Sequence, residues 1–274
     1  MLVEKMTSKL FSVLQKPDHG ESKSEQNRFP YVQPYNILDH QFDFWIVNQI
    51  AKDWYAPEDR DRVAEIIALT KVVQPGDRVL EIGSHHGFHT MLLSSVVGSQ
   101  GFVLSLEANP FNAQVAMSQV ALNQKGNLCQ IKNLAASDTP GRLNFSQESN
   151  ASVINQDEEQ NHSVSVEATT GDLLAQKYGN FNVLKIDVEG FEAQVLRGCK
   201  QILKSKPKLA LELHVPLLAK YHSTVAEIWE LIGIDDYEGV MINRSHKYES
   251  HPFIAQEIPE DVVNLILYPR SLSK

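Results

Sequence analysis

The sequence predicts an α/β fold: a mostly parallel sheet with helices on both faces. Two observations predict it. From Gly76 onward, short aliphatic runs alternate with amphipathic helical stretches, the pattern of strand–helix–strand crossovers. Two of those runs, ending near Gly83 and Asp187, pass directly into a glycine turn and a helix start.

Taken in order, residues 1–36 read as an N-terminal tail and linker. Met1–Gln15 is mildly amphipathic and lacks a secretory apolar core, and Lys16–Arg28 is polar, with Pro17 and Gly20. Residues 37–75 read as an N-terminal helical section. Asp39 would cap a helix through Tyr55 with Phe42, Trp45, Ile46 and Ile50 on its apolar face, and a second helix would run from Pro57 to Val73. This section is expected to pack on the main domain, residues 76–274, where its aromatics either serve only as core or also cover a bound ligand.

Within that domain the predicted strands are Arg78–Gly83, Phe102–Glu107, Leu128–Leu134, Asn182–Asp187 and Lys208–His214. The predicted helices are Phe88–Val97, Pro110–Lys125, Gly190–Lys204 and Thr224–Ile232. Arg142–Gln147 and Ser163–Ala168 form an extra strand pair around a polar loop, Glu148–His162, that is either a substrate-side loop or a surface insertion. Glu238–Asn243 and Val262–Tyr268 make a terminal hairpin.

Composition sets limits. The 274 residues allow one large domain plus appendages, and 42% are apolar, ordinary for a globular core. A net charge of −9 without a basic stripe argues against nucleic acid as a partner. No run approaches the roughly 18 apolar residues of a membrane span, so a soluble, cytoplasmic protein without a membrane partner is expected. Cys129 and Cys199 have no partner at metal or redox spacing.

The turn Glu81-Ile82-Gly83-Ser84-His85-His86-Gly87 carries chemistry. Glycine lets the backbone turn sharply and a ligand approach closely. The dinucleotide fingerprint needs a second glycine where His85 stands, so a nicotinamide oxidoreductase is disfavoured. The turn instead resembles Glu/Asp-x-Gly-x-x-x-Gly of class I methyltransferases, where the acidic residue suits the ammonium of S-adenosylmethionine. Glu107 ends the next strand at the spacing, on the order of 20 residues, of a ribose-binding carboxylate.

The string Lys185-Ile186-Asp187-Val188-Glu189-Gly190-Phe191-Glu192, continued by Val195-Leu196-Arg197-Gly198, resembles the FkbM family of S-adenosylmethionine-dependent methyltransferases. Pro75-Gly76-Asp77, His89-Thr90, Asn133–Asp138, Gly141, Thr170–Asp172 and Leu211–His214 also match that family's pattern. The resemblance runs from about Gln74 to His214, and Ser84-His85-His86 departs from the small or amide residues usual there.

The resemblance implies a Rossmann-like class I methyltransferase, with a seven-stranded, mostly parallel sheet in the order 3-2-1-4-5-7-6 and one antiparallel strand. It implies methyl transfer to a hydroxyl on a sugar, glycan or secondary metabolite. Glu81, Gly83 and Gly87 would meet the methionine end, Glu107 the ribose, and Ala136, Ser137 and Asp138 the adenine, with Ser84 and Ala108 also among the cofactor-binding residues. Asp187 would hold the acceptor, act as base or touch the cofactor, and His214, beside it at the reacting centre, could itself be the base because an imidazole titrates near neutrality. Glu212 and His214 share a strand face. They form a structural hydrogen-bonded pair, or they join Asp187 around a divalent cation. His85, His86 and His89 lack a further ligand for zinc.

Several chemistries are disfavoured. There is no Asn/Asp-Pro-Pro-Tyr/Phe string for amino methylation of adenine or glutamine, no Pro-Cys pair for cytosine chemistry and no Walker lysine. N-methylation of a small amine or peptide, or a catalytically inactive scaffold of this fold, remain as alternatives.

Overall fold

The computed structural model describes residues 29–55, 63–146, 152–154, 163–243 and 250–270. The predicted tail at residues 1–28, the start of the helix expected from Pro57 and most of the Glu148–His162 loop lie outside them.

The N-terminal section differs from expectation. Tyr31–Ile37 (β1) and His40–Ile46 (β2) form an antiparallel hairpin, β1 mostly within the predicted linker and β2 where a helix was predicted from Asp39. Its two turn residues, Leu38 and Asp39, both have positive φ, the conformation that matches the twist of paired strands. The physical reason lies in the burial. Phe42, Phe44 and Ile46 are buried in strict alternation, a strand period, whereas Phe42, Trp45 and Ile46 also fit helical spacing. The helix begins only at Gln49–Tyr55 (α1), where the Asn48 side chain accepts a 2.8 Å hydrogen bond from the Ala51 amide. Val63–Val72 (α2) follows.

The edge of β2 is closed by side chains. Gln119 bonds both the N–H and the C=O of Trp45, and Asn123 does the same for Asp43. Two amides of one helix thus stand in for a neighbouring strand and satisfy an otherwise open edge.

The main domain alternates Arg78–Ile82 (β3), Phe88–Val97 (α3), Phe102–Leu106 (β4), Pro110–Leu122 (α4) and Cys129–Lys132 (β5). Ala135–Ala136 (β6), Gly141–Ser146 (β7) and Ser163–Thr169 (β8) form a separate small sheet in the order β6-β8-β7. Then come Gly171–Tyr178 (α5), Val183–Asp187 (β9), Glu192–Arg197 (α6), Lys200–Lys204 (α7), Lys208–His214 (β10), Val215–Leu218 (α8) and Val225–Ile232 (α9). Tyr237–Asn243 (β11), Ser250–Pro252 (β12) and Val262–Pro269 (β13) complete the chain.

The helix expected over Gly190–Lys204 is two helices. It breaks at Gly198, where a Cβ would lie 2.0 Å from the Ser137 carbonyl oxygen. The large sheet has the order β12-β11-β13-β10-β9-β3-β4-β5, with β13 antiparallel to both β10 and β11. Without β12 this is the predicted seven-strand order with its one reversed strand. The three-residue β12 adds an eighth strand at the edge.

Two apolar clusters flank the sheet. One packs Leu80, Ile82, Leu104, Ile186 and Leu211 against α6, α7 and α9. The other packs Val79, Val103 and Val183 against α2, α3 and the N-terminal hairpin. Because both faces are covered, the parallel strands read as continuous apolar runs. The chain leaves β5 and returns to β9 beside β3, so the switch in strand order falls between β3 and β9. A crevice at the carboxyl ends of those strands is where such sheets bind ligands. No helix among the described residues is long and apolar enough to cross a membrane.

Candidate active site

A cleft with about 670 Å³ of empty space, partly open to solvent, lies at that switch point. Its lining includes Gly83, His85, Glu107, Ala108, Ala136, Asp187 and Glu189.

The turn after β3 is fixed by its backbone. The amides of Gly83 and Ser84 both donate to the Leu106 carbonyl, at 3.0 and 3.1 Å. Gly83 has φ 85°, and a Cβ there would sit 1.8 Å from the Asp187 carbonyl oxygen. Glycine is therefore required so that the ends of β3 and β9 can meet. Gly87, at φ 86°, lets α3 start against Ala116.

Glu107 follows β4 and faces the cleft, with each carboxylate oxygen accepting one backbone N–H: Oε2 from His85 at 2.7 Å and Oε1 from Asn109 at 2.8 Å. Each oxygen keeps a further lone pair. Burial pushes its pKa up, against those two hydrogen bonds, to about 7.

The structure places Glu81 away from the cleft lining. It is fully buried on the α3 side of the sheet, and Oε2 accepts from Thr90 and from Ser105, the latter at 2.6 Å. The strand register explains the grouping, because Ser105, Glu81 and Lys185 stand side by side across β4, β3 and β9. The Lys185 ammonium lies 4.0 Å from both Glu81 and Asp187. Burial raises the Glu81 pKa, with Lys185 and the two hydroxyls opposing it. Burial would lower that of Lys185, but Asp187 and Glu81 outweigh it and hold the ammonium charged.

Of the predicted site residues Glu81, Glu107, Asp138, Asp187 and His214, only Glu107 and Asp187 line the cleft. Asp138 is exposed and accepts from the Ser137 hydroxyl. His214 is buried behind Glu189. Its Nδ1 lies 2.9 Å from Glu192 and its Nε2 3.2 Å from Glu189. Burial alone would lower the imidazole's pKa, yet the Glu192 hydrogen bond and the charges of Asp187, Glu189 and Glu192 raise it to about 9. At neutral pH the ring is thus a cation without a lone pair to accept a proton, and Glu189 is the carboxylate it presents to the cleft. Glu189 sits at φ 51°, an uncommon conformation for a side-chain-bearing residue.

Asp187, Glu212 and His214 can bring one ligand atom each within 4.8 Å of one another, the only such grouping among the described residues. Both nitrogens of His214 already face carboxylates, so metal binding there would have to break those pairs. The three turn histidines separate: His85 meets the Tyr55 hydroxyl at 2.6 Å, His86 meets Asn112 at 3.1 Å, and His89 meets Glu65 at 3.4 Å. Burial lowers the His86 pKa to about 4.

Sequence reasoning missed Trp54, Phe145 and Val153, which also line the cleft. Phe145 and Val153 pair across an isolated bridge beside the small sheet and, with Leu134 and Ala135, make an apolar wall. No local motif marks them, because their place depends on a tertiary fold-back. The donor set fits a nucleoside with an amino-acid tail. An apolar wall suits a base, Glu107 retains acceptor capacity for ribose hydroxyls, and the buried Ser84 hydroxyl at the turn has no hydrogen-bond partner among the described residues.

Sheet order, reversed strand and cleft position define a class I methyltransferase fold. Residues 81–254 match the model of the methyltransferase FkbM domain, and the chain belongs to that family. It is 28% identical over 144 residues to protein-L-isoaspartate O-methyltransferase of Methanococcus aeolicus, covering 53% of this chain and 58% of that protein. Among solved structures it is similar to methyltransferase FkbM of Methylobacillus flagellatus (16% identity, TM-score 0.47, 75% of this chain and 51% of that one). It is also similar to a SAM-dependent O-methyltransferase of Thermotoga maritima (14% identity, TM-score 0.43, 86% and 77%). The chain thus spans little more than half the length of the first two proteins.

Proposed function

We propose that this protein transfers a methyl group from S-adenosylmethionine to a hydroxyl, with a sugar, glycan or secondary metabolite as acceptor. The observation that carries the reading is the cleft itself, which joins Gly83 and Glu107 on one side to the carboxylates of Asp187 and Glu189 on the other. Glu107 would hold the ribose hydroxyls. Leu134, Ala135, Ala136, Phe145 and Val153 would enclose the adenine, and Ser84 would meet the methionine end.

The cofactor supplies an electrophilic methyl on a sulfonium. The residues of this chain align the acceptor oxygen with it and exclude water, and alignment accounts for much of such an acceleration. As the new C–O bond forms and the C–S bond breaks, the hydroxyl proton passes to a carboxylate. Asp187 is the base in this reading, and His214 acts from behind by holding Glu189. Asp187 and Glu189, the two carboxylates on the acceptor side of the cleft, disfavour an acidic acceptor by like-charge repulsion. They would suit an amine, which keeps N-methylation as the second reading. Two free, buried cysteines go with a reducing compartment such as the cytoplasm.

The test is calorimetric titration with S-adenosylmethionine and S-adenosylhomocysteine, for the wild type and Glu107→Ala. Transfer of labelled methyl to hydroxyl and amine panels would follow, with linkage assigned by mass spectrometry. Micromolar binding lost in the variant supports the site. No binding by folded wild-type protein overturns it.

A further inference from the structure

The departure of this chain from its family at Ser84-His85-His86 has a structural counterpart. His85 occupies a left-handed conformation, φ 48°, which a side-chain-bearing residue adopts at a cost. Its ring has two stacked neighbours. Trp54 lies 5.0 Å away at 26°, and His86 lies 4.1 Å away at 20°. The Tyr55 hydroxyl is within hydrogen-bond distance of His85 Nδ1, at 2.6 Å.

Tyr55 is itself anchored. It is buried, stacks on Phe88 at 5.3 Å and packs against Phe44 of the hairpin, while the Tyr35 hydroxyl bonds its carbonyl oxygen. The same His85 donates its backbone N–H to Glu107. Trp54 and His85 both line the cleft, whereas Tyr55 and His86 do not.

We propose that Trp54 and His85 form a stacked aromatic wall against which the cofactor packs, and that the N-terminal hairpin and α1 serve to deliver it. This rests on the S-adenosylmethionine reading above. Two features place the wall on the cofactor side of the cleft. His85 follows Gly83 by two residues in the turn, and its amide is bound to the carboxylate proposed for the ribose. A rigid aromatic pair offers a large contact area at small entropic cost, because its rings are already held before the ligand arrives. The wall would replace, with side chains from outside the parallel sheet, the cover that a small residue at position 85 could not give.

The probe is S-adenosylhomocysteine, which needs no acceptor. By calorimetry, Trp54→Ala and His85→Ala should each weaken its binding about tenfold, with thermal unfolding confirming that both variants fold. In a Trp45→Phe/Trp229→Phe background, Trp54 is the only tryptophan, and saturating S-adenosylhomocysteine should change its emission. Wild-type affinity in a folded Trp54→Ala variant, together with unchanged Trp54 emission on binding, overturns the proposal while leaving the cofactor reading intact. Absence of binding by the wild type would instead remove the reading on which it rests.

Discussion

The two sides of the cleft are built in opposite ways. The side at the carboxyl ends of the central strands is largely backbone: the Gly83 turn locked to Leu106, the β9 terminus pressed against it, and Glu107 held by two amides. The other side is side chain: Trp54 stacked on His85, and Phe145 paired with Val153, brought in by the hairpin, α1 and the small sheet. A backbone site tolerates almost no substitution where strands touch, because main chain cannot rotate away. A side-chain site can lose a ring and keep its fold. The first side should therefore fail through stability and the second through affinity.

Gly83→Ala is expected to have the largest effect. The added Cβ would fall 1.8 Å from a main-chain oxygen at φ 85°, so β3 and β9 would have to separate. Overpacking of that kind costs about 3 kcal/mol, and the urea unfolding midpoint should drop accordingly. A variant of wild-type stability would show that this edge is not locked.

Glu107→Gln should come next, and it should act on affinity. Removing the charge from a hydrogen-bonded carboxylate corresponds to about 1.5–3 kcal/mol, so S-adenosylhomocysteine binding should weaken by about ten- to a hundredfold. Because burial lifts the free carboxyl to about 7, the ionised form that accepts from ribose hydroxyls grows from the minor to the major species as pH rises through that value. Wild-type affinity should rise from pH 6 to pH 8, and the Gln variant should lose that slope. A pH-independent wild type would separate Glu107 from the binding step.

The ion pairs beneath those strand ends predict a smaller, pH-dependent effect. His214 titrates near 9 in the folded chain, above its ordinary 6.5. Its pairing with Glu192 and Glu189 thus stabilises the fold fully below pH 6.5 and less as pH rises toward 9. Chemical unfolding across that window should show a decline in the wild type that His214→Gln flattens. Parallel declines in the two proteins would assign the pH dependence elsewhere.

The same division governs what the sequence could disclose. The backbone side is written locally: Gly83 and Asp187 fall at strand ends, Gly87 at a helix start, and α3 and β10 begin and end where apolar periodicity places them. The side-chain elements are not. The β1–β2 turn at Leu38-Asp39 carries no glycine, and Phe42, Trp45 and Ile46 satisfy a helical spacing as well as Phe42, Phe44 and Ile46 satisfy a strand. Glu81 was legible as a strand-end acid but not as a sealed one. Both faces of its sheet are covered, so alternation along the strand does not distinguish cleft from interior.

Tyr55→Phe is the smallest change and the most discriminating. It keeps the ring that stacks on Phe88 and removes only the hydroxyl that bonds His85 Nδ1. Loss of one such hydrogen bond is worth about 1 kcal/mol. If Trp54 orders His85 by stacking alone, cofactor affinity should fall by no more than about twofold. If the hydroxyl sets the ring's orientation, the fall should approach the tenfold expected for removing Trp54. The smaller loss, measured by S-adenosylhomocysteine calorimetry, is the expected result, because His85 remains held between Trp54 and His86 and its amide stays on Glu107. A loss as large as that of Trp54→Ala would show that the side-chain wall depends on a single directional contact, and is nearly as intolerant of change as the backbone edge it faces.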